Sequence, residues 1–201
     1  RHTHGLAMAG FSGGGKSTLM LHMLDHDDVN YLSNDRLFIR QHQGQIIAAG
    51  IPKLPRVNPG TIVHNPRLHT LMTDQERHAM LALPQQQLWD LEQKYDVIID
   101  DLYGENRIVQ QSVLRAFLVL NWQRNSDHPL QVNSVDISQR RDLLAAIMKS
   151  PGPFYQHDDG QFHQCATALD ESAYIDVLQN MPVFEATGAV DFDQLSRYMY
   201  E

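Results

Sequence analysis

The order of predicted strands and helices indicates an α/β fold, and three observations support that prediction. Short apolar runs suited to buried strands alternate with stretches of helical periodicity. A glycine-rich turn follows the first apolar run and leads directly into a helical pattern. The chain has 201 residues, of which 42% are hydrophobic and 20% are charged, so it is long enough for a sizeable core. We therefore expect residues 1–201 to form a single domain.

The glycine-rich turn is the segment Gly10-Phe11-Ser12-Gly13-Gly14-Gly15-Lys16-Ser17-Thr18, and it matches the phosphate-loop pattern G-x-x-x-x-G-K-[ST]. An apolar strand at residues 6–9 precedes it, and a helix from Lys16 to about Leu24 follows. Glycines let the backbone turn its N–H groups toward phosphates, and the helix N-terminus adds positive charge. Lys16 supplies a mobile cation, and the Ser17 hydroxyl suits Mg²⁺. The segment therefore predicts binding of a nucleoside triphosphate with Mg²⁺.

A second strand is predicted at residues 29–33, where an apolar run follows the first helix. In a βαβ unit, the C-terminal ends of the parallel strands lie at the sheet edge that carries the loop between strand and helix. Asp35, which closes this second run, is therefore expected near Ser17 and its Mg²⁺. The alternative is an aspartate that only makes a turn at the end of a strand.

Residues 37–40 and 45–48 flank a polar turn and predict a β-hairpin. The stretch at residues 50–60 contains three prolines and two glycines, which predicts an ordered loop rather than a helix. This loop carries Lys53 and Arg56. We expect Arg56 to reach across the nucleotide and stabilise charge on the transferring phosphoryl group. The alternative is a loop with two solvated surface cations.

A rival metal-binding carboxylate lies further along the chain. Residues 95–103 predict a strand that includes Asp100 and Asp101, and this run superficially matches the second motif of nucleoside triphosphatases. Alternating exposure along a half-buried strand also explains its pattern. We prefer Asp35 because it lies one βαβ step from the glycine-rich turn.

The remaining elements are assigned from helix caps, breaker residues and apolar periodicity. They are a helix opened by the capping box from Thr73 to Glu76 and interrupted at Pro84, a turn at residues 104–107, a strand at 114–122, a loop at 125–129, a helix from Asp136 or Ser138 through Met148, a helix at 171–179, a strand at 181–187 and a helix at 191–200.

Possible metal ligands are dense in one late segment, which contains His157, Asp158, Asp159, His163 and Cys165. Their spacing matches no structural zinc pattern, because the paired C-x₂-C is missing. The chain has 11 histidines, so some clustering is expected by chance. We interpret the segment as a polar loop.

The bulk properties narrow the class of protein. A net charge of -8 argues against a general nucleic-acid surface. The single cysteine allows no intrachain disulfide and suits a reducing cytosol, and the sequence has no apolar run near 18 residues. We therefore expect a cytoplasmic protein that neither binds nucleic acid nor spans a membrane. The chain begins with Arg1 rather than Met and the first strand follows almost at once, so we also expect an upstream segment.

Three features together resemble the HPr kinase/phosphorylase family and its related kinases of unassigned substrate. They are the loop at residues 10–17, the run Leu32-Ser33-Asn34-Asp35-Arg36 and the hairpin after it. The resemblance implies a fold like that of phosphoenolpyruvate carboxykinase, with the phosphate loop in a mixed β-sheet flanked by helices. It also implies transfer of phosphate from ATP to a serine hydroxyl, and a ring-like homo-oligomer. The family carries two adjacent aspartates where this chain has Asn34 and Asp35.

The leading hypothesis is therefore an ATP-dependent kinase that acts on a hydroxyl of a protein or small molecule. In this hypothesis Ser17 and Asp35 hold Mg²⁺, Lys16 and Arg56 stabilise phosphate charge, and Asp35 also orients the acceptor. A transporter-type ATPase is a weaker alternative, because its L-S-G-G-Q signature does not occur in the sequence. A non-catalytic nucleotide sensor is a third hypothesis, and the missing carboxylate at Asn34 favours it.

Overall fold

The computed structural model describes residues 4–51, 53–153, 155–164 and 168–201. Its strands are β1 His4–Gly10, β2 Leu37–His42, β3 Gln45–Gly50, β4 Arg56–Val57, β5 Tyr95–Asp96, β6 Gln111–Leu120, β7 Gln131–Ser134 and β8 Val183–Thr187. Its α-helices are α1 Lys16–Leu24, α2 Pro59–His64, α3 Asp74–Leu81, α4 Gln85–Asp90, α5 Ile99–Tyr103, α6 Arg141–Ile147, α7 Glu171–Leu178 and α8 Phe192–Tyr200. Short 3₁₀ helices cover Pro66–Leu71 and Ile137–Gln139.

The described residues fall into two compact units, each built from separate stretches of chain. The first unit takes its residues from Arg1–Lys16, Arg36–Ala48 and Ser112–Val190. The second takes them from Ser17–Asp35, Ala49–Gln111 and Asp191–Glu201. That the chain forms one domain stays a prediction.

The first unit contains a mixed β-sheet with the strand order β2-β3-β6-β8-β7, and β1 pairs with β6 beside this path. β6 runs parallel to both β1 and β8, whereas β7 runs antiparallel to β8. β6 is the central strand, and its last four residues, from Phe117 to Leu120, are buried as expected for a strand covered on both faces. Helix α6 lies against β1 and buries Leu143 and Leu144. The predicted mixed sheet with flanking helices is thereby confirmed.

The second unit has its own hydrophobic core, formed mainly by helices. Its buried members include Leu21 and Leu24 of α1, Tyr31, Val57, Ile62, Leu68, Leu88, Ile99 and Tyr103. Beside this core, β4 and β5 form a two-stranded antiparallel sheet.

Several local predictions are confirmed. Strand β1 and helix α1 lie where the sequence placed them, and so does the β2–β3 hairpin. Its turn residues Gln43 and Gly44 have φ angles of 50° and 74°, as a type I′ hairpin turn requires. Both halves of the capping box between Thr73 and Glu76 are present at the start of α3.

The predicted strand at residues 29–33 is wrong. Tyr31 makes a single parallel bridge to Ile108, and no longer ladder forms there. The reason is the guanidinium of Arg107, which donates hydrogen bonds to the carbonyl oxygens of Leu24, His26 and Val29. These bonds hold the chain after α1 in an irregular path. The parallel neighbour of β1 is instead β6, so residues 29–33 are not the second strand of a βαβ unit and do not place Asp35 beside the glycine-rich turn.

The predicted strand at residues 95–103 is also largely wrong, because only Tyr95 and Asp96 form a strand and residues from Ile99 onward form α5. Ile99 and Tyr103 are four residues apart and both buried, which is helical spacing. Asp100 and Asp101 are exposed in the first turn of this helix rather than at the end of a strand. The sequence match to a second nucleotide-binding motif therefore lacks its structural context.

Three smaller corrections follow from short elements. The predicted loop at residues 50–60 contains β4, and α2 begins at Pro59, where a proline is favoured in the first helical turn. Strand β7 is polar and was not predicted. The helix expected from Asp136 or Ser138 is split into the 3₁₀ helix Ile137–Gln139, capped by Asp136, and helix α6.

Within the described residues, no helix combines the length and apolar character needed to cross a bilayer.

Candidate functional site

The turn between β1 and α1, here called the glycine loop (residues 10–16), has a backbone path that requires glycine. Gly13 and Gly15 have φ angles of 75° and 82°, which L-residues with side chains rarely adopt. The Gly14 N–H donates to the carbonyl oxygen of Phe11 at 3.1 Å. A Cβ on Gly14 would lie only 3.0 Å from that same oxygen. The three glycines therefore allow the backbone to form a tight cradle at this turn.

Lys16 turns its ammonium group back over this cradle. Its Nζ donates to the carbonyl oxygens of Gly10 at 2.8 Å and Phe11 at 3.0 Å. The same residue begins α1, so the cation lies at the helix end that carries the partial positive charge of the peptide dipoles. A lysine charge and a helix N-terminus at one place favour an anion.

The segment that follows β6 also contacts the glycine loop. Trp122 donates its indole N–H to the carbonyl oxygen of Gly14 at 2.9 Å, and Arg124 donates to that of Gly13 at 3.1 Å. No sequence motif assigns a role to either residue. The clue that could have found them is position: residues just after a parallel neighbour of β1 lie at the same sheet edge as the loop.

In the second unit, the hydroxyl of Ser17 donates to the side-chain oxygen of Asn34 at 2.8 Å. Thr18 shares a hydrogen bond of 2.8 Å with the hydroxyl of Thr61. Asp35 is the next residue after Asn34 and is exposed at a bend. Ser17 thus contacts a neutral amide rather than a carboxylate.

The other predicted site residues lie on separate elements of the second unit. Arg56 is exposed on β4, in register with Asp96 of β5. Lys53 is exposed, and its carbonyl oxygen accepts a hydrogen bond from the hydroxyl of Tyr31. The role of Arg56 at a phosphoryl group stays a prediction.

A buried ionic network lies on β8 in the first unit. Glu185 is 6% exposed and accepts hydrogen bonds from both terminal nitrogens of Arg140, at 2.7 and 2.8 Å, and from the amide of Asn121 at 2.7 Å. The Arg140 guanidinium holds the pKa of the Glu185 carboxyl below its usual range, with Asn121 adding to the effect. Arg140 also pairs with exposed Asp142, and both carboxylates raise the pKa of the guanidinium.

Within the ranges that the structure describes, no group of three or more histidine, cysteine, aspartate and glutamate side chains is placed to hold a metal ion. His163 is buried, and neither ring nitrogen has a hydrogen-bond partner among the described residues. His157 lies nearby, with ring centroids 5.5 Å apart. Cys165, the last residue of the segment singled out in the sequence, lies outside the described residues.

Comparison with known proteins gives a distant likeness in fold. No family model matches the sequence, and no curated protein matches it. Among solved structures, the chain is similar to the Hpr(Ser) kinase/phosphatase from Coxiella burnetii, with 12% sequence identity and a TM-score of 0.43. The match covers 100% of this chain and 89% of that chain.

Proposed function

We propose that this chain binds ATP with Mg²⁺ through residues 10–18 and transfers the γ-phosphoryl group to a hydroxyl of a protein or small molecule. The observation that supports this most is the position of the Lys16 ammonium, held over the glycine loop by the carbonyl oxygens of Gly10 and Phe11. Phosphate oxygens compete well for such a cation, because a charged acceptor forms a stronger hydrogen bond than a neutral carbonyl. We also propose that the chain forms the homo-oligomer that the family resemblance implies.

The donors present fit a triphosphate accompanied by a metal ion. Left-handed Gly13 and Gly15 leave room for phosphate close to the backbone, since no Cβ fills the cradle. The Ser17 hydroxyl and the Asn34 amide oxygen are hard oxygen donors 2.8 Å apart, which is the ligand type Mg²⁺ prefers. When bound, Mg²⁺ supplies neutralisation of charge on the β- and γ-phosphate oxygens.

The remaining roles are assigned by chemistry. Asp35 accepts a hydrogen bond from the acceptor hydroxyl and adds a carboxylate ligand for the metal, and Arg56 stabilises charge on the transferring group. A loose transition state demands positioning of the hydroxyl more than its deprotonation, so one carboxylate suffices.

Nucleotide sensing without transfer is a second candidate, and one contact favours it. Asn34 stands beside the Ser17 hydroxyl, where an amide brings no negative charge to the metal. A sensor would bind ATP and Mg²⁺ through the same residues and report to a partner. Binding alone therefore does not separate the two functions, whereas the fate of the γ-phosphate does.

The binding step is tested by calorimetry of ATP with Mg²⁺ on the full chain and on two lysine variants. We expect Lys16→Ala to weaken ATP binding about 10- to 100-fold, because a charge-assisted hydrogen bond contributes about 1.5–3 kcal/mol. Lys94→Ala removes an equal charge from an exposed site paired with Glu92, and should bind as the parent does. Equal affinities in all three proteins would refute binding at the glycine loop.

The transfer step is tested with γ-labelled ATP and cell extract. A labelled protein or metabolite supports the kinase, free phosphate supports an ATPase, and retention of label in ATP supports the sensor. In the kinase case Asp35→Ala should abolish transfer while much of the ATP affinity remains. Full transfer by Asp35→Ala would remove Asp35 from the proposed site.

A further inference from the structure

The segment that follows β6 (residues 121–124) is fixed along the end of β8 by backbone hydrogen bonds. The backbone N–H of Asn121 donates to Ala186 at 2.9 Å, and that of Gln123 donates to Gly188 at 2.9 Å. The Asn121 side-chain amide also donates a hydrogen bond to buried Glu185. These contacts give the segment a fixed position within the first unit.

Two side chains of this segment, those of Trp122 and Arg124, contact the glycine loop. Both donate to the glycine loop, and they reach successive carbonyl oxygens, those of Gly14 and Gly13. The anchored segment thus holds two neighbouring peptide groups of the loop.

A peptide group is planar and trans, so its C=O and N–H bonds point in opposite directions. Fixing the Gly14 carbonyl oxygen against the Trp122 indole therefore fixes the direction of the Gly15 N–H, which points away from the indole. Fixing the Gly13 carbonyl oxygen against Arg124 likewise orients the Gly14 N–H, which donates to Phe11. In a run of three glycines, which rotate more freely than other residues, such restraints decide which conformers are populated.

We propose that Trp122 and Arg124 are positioning residues that hold the glycine loop in its phosphate-binding conformation, with Trp122 aiming the Gly15 N–H toward the bound phosphate. This inference rests on the proposed function for its ligand. The geometry of the restraint rests on contacts within the first unit alone, and it can be measured without a ligand.

The first experiment compares Trp122→Phe with Trp89→Phe in the full chain. The phenylalanine keeps an aromatic ring but removes the indole N–H, and Trp89 lies on α4 in the second unit. We expect Trp122→Phe to weaken binding of inorganic tripolyphosphate with Mg²⁺ about three- to tenfold, the effect of one neutral hydrogen bond. Trp89→Phe should bind with parental affinity. Equal affinity of the parent and Trp122→Phe would overturn the proposal.

A second readout isolates the restraint from the ligand. Amide hydrogen exchange of the ligand-free proteins should be faster at residues 13–15 in Trp122→Phe, with β1 and β6 unchanged. If the parent binds no tripolyphosphate, the proposed function fails, while this measurement still decides whether Trp122 restrains the loop. Unchanged exchange at residues 13–15 would overturn the restraint itself.

Arg124 provides an independent variant on an exposed side chain. Arg124→Gln should weaken tripolyphosphate binding, and Arg124→Lys, which keeps the charge and a donor, should recover part of the loss. Arg141→Gln is the charge control, because it removes an exposed arginine paired with Glu171. Equal losses in Arg124→Gln and Arg141→Gln would show a general charge effect and overturn the positioning role of Arg124.

Discussion

The contact between Ser17 and Asn34 is the residue-scale feature on which the proposed Mg²⁺ binding depends. An amide oxygen accepts the Ser17 hydroxyl at 2.8 Å, as a carboxylate would, but it brings no charge to a divalent cation. The neighbouring carboxylate of Asp35 is exposed. Asn34 and Asp35 therefore offer one neutral and one charged oxygen donor. A substitution at Asn34 changes the neutral donor and leaves the Asp35 carboxylate in place.

We predict that Asn34→Asp lowers the Mg²⁺ concentration needed for half-maximal ATP binding about fivefold, an affinity change of about 1 kcal/mol. The reason is that a carboxylate beside the Ser17 hydroxyl is a charged hard ligand. Magnesium titrations of ATP binding measure this change. Asn133→Asp adds the same charge at an exposed position of β7 and should leave the requirement unaltered. An unaltered requirement in Asn34→Asp would place the metal out of reach of residue 34.

At the scale of single elements, the sequence predicts those strands, helices and turns whose conformation is determined by residues close together in the chain. Strand β1, helix α1 and the hairpin turn at Gln43 and Gly44 are encoded by local apolar spacing and turn residues. The expected strand at residues 29–33 has the same kind of local pattern. It fails because Arg107, more than 70 residues later in the chain, binds the carbonyl oxygen of Val29. A partner so distant in sequence leaves no mark in the local pattern.

Residues 99–103 show a different limit, which is the ambiguity of short apolar runs. The pair of aspartates inside the run fits a half-exposed strand, and it also fits the first turn of a helix, where acidic residues are favoured. Burial of Ile99 and Tyr103 on one side decides for the helix. Only the tertiary core of the second unit supplies that information.

Helix α3 offers an element-scale prediction, because its start is fixed by a capping box and it buries no side chain. The Thr73 hydroxyl accepts from the Glu76 N–H at 3.2 Å, and the Glu76 carboxylate accepts from the Thr73 N–H at 2.7 Å. Thr73→Ala should lower the free energy of unfolding by about 1 kcal/mol and Tm by about 2–4 °C. Thermal unfolding measures both. The exposed Thr70→Ala is the control, and a Tm loss as large in that variant would contradict a capping origin.

At the scale of the whole molecule, the candidate site depends on strand order, which local patterns do not encode. β1 pairs with β6, about 110 residues later, and β6 pairs with β8. This order brings Trp122 and Arg124 to the glycine loop. The sequence therefore identifies the loop itself and misses the residues that hold it.

The stability of the folded chain should depend on acid pH through Glu185, whose carboxylate is buried against Arg140. The folded pKa of this carboxyl lies below its ordinary value of 4.5, so the unfolded chain binds the proton more readily. Its contribution to stability is therefore fully present above pH 4.5 and is lost as pH falls through the folded pKa.

We predict that the free energy of unfolding falls less steeply with acid in Glu185→Gln than in the parent, so that the gap between the two proteins narrows below pH 4.5. Urea unfolding at a series of pH values from neutral downward measures the gap. Glu171→Gln, which removes an exposed carboxylate paired with Arg141, controls for the loss of one negative charge. Parallel curves for the parent and Glu185→Gln through this range would mean that the Arg140 contact does not stabilise the ionised carboxylate in the folded chain.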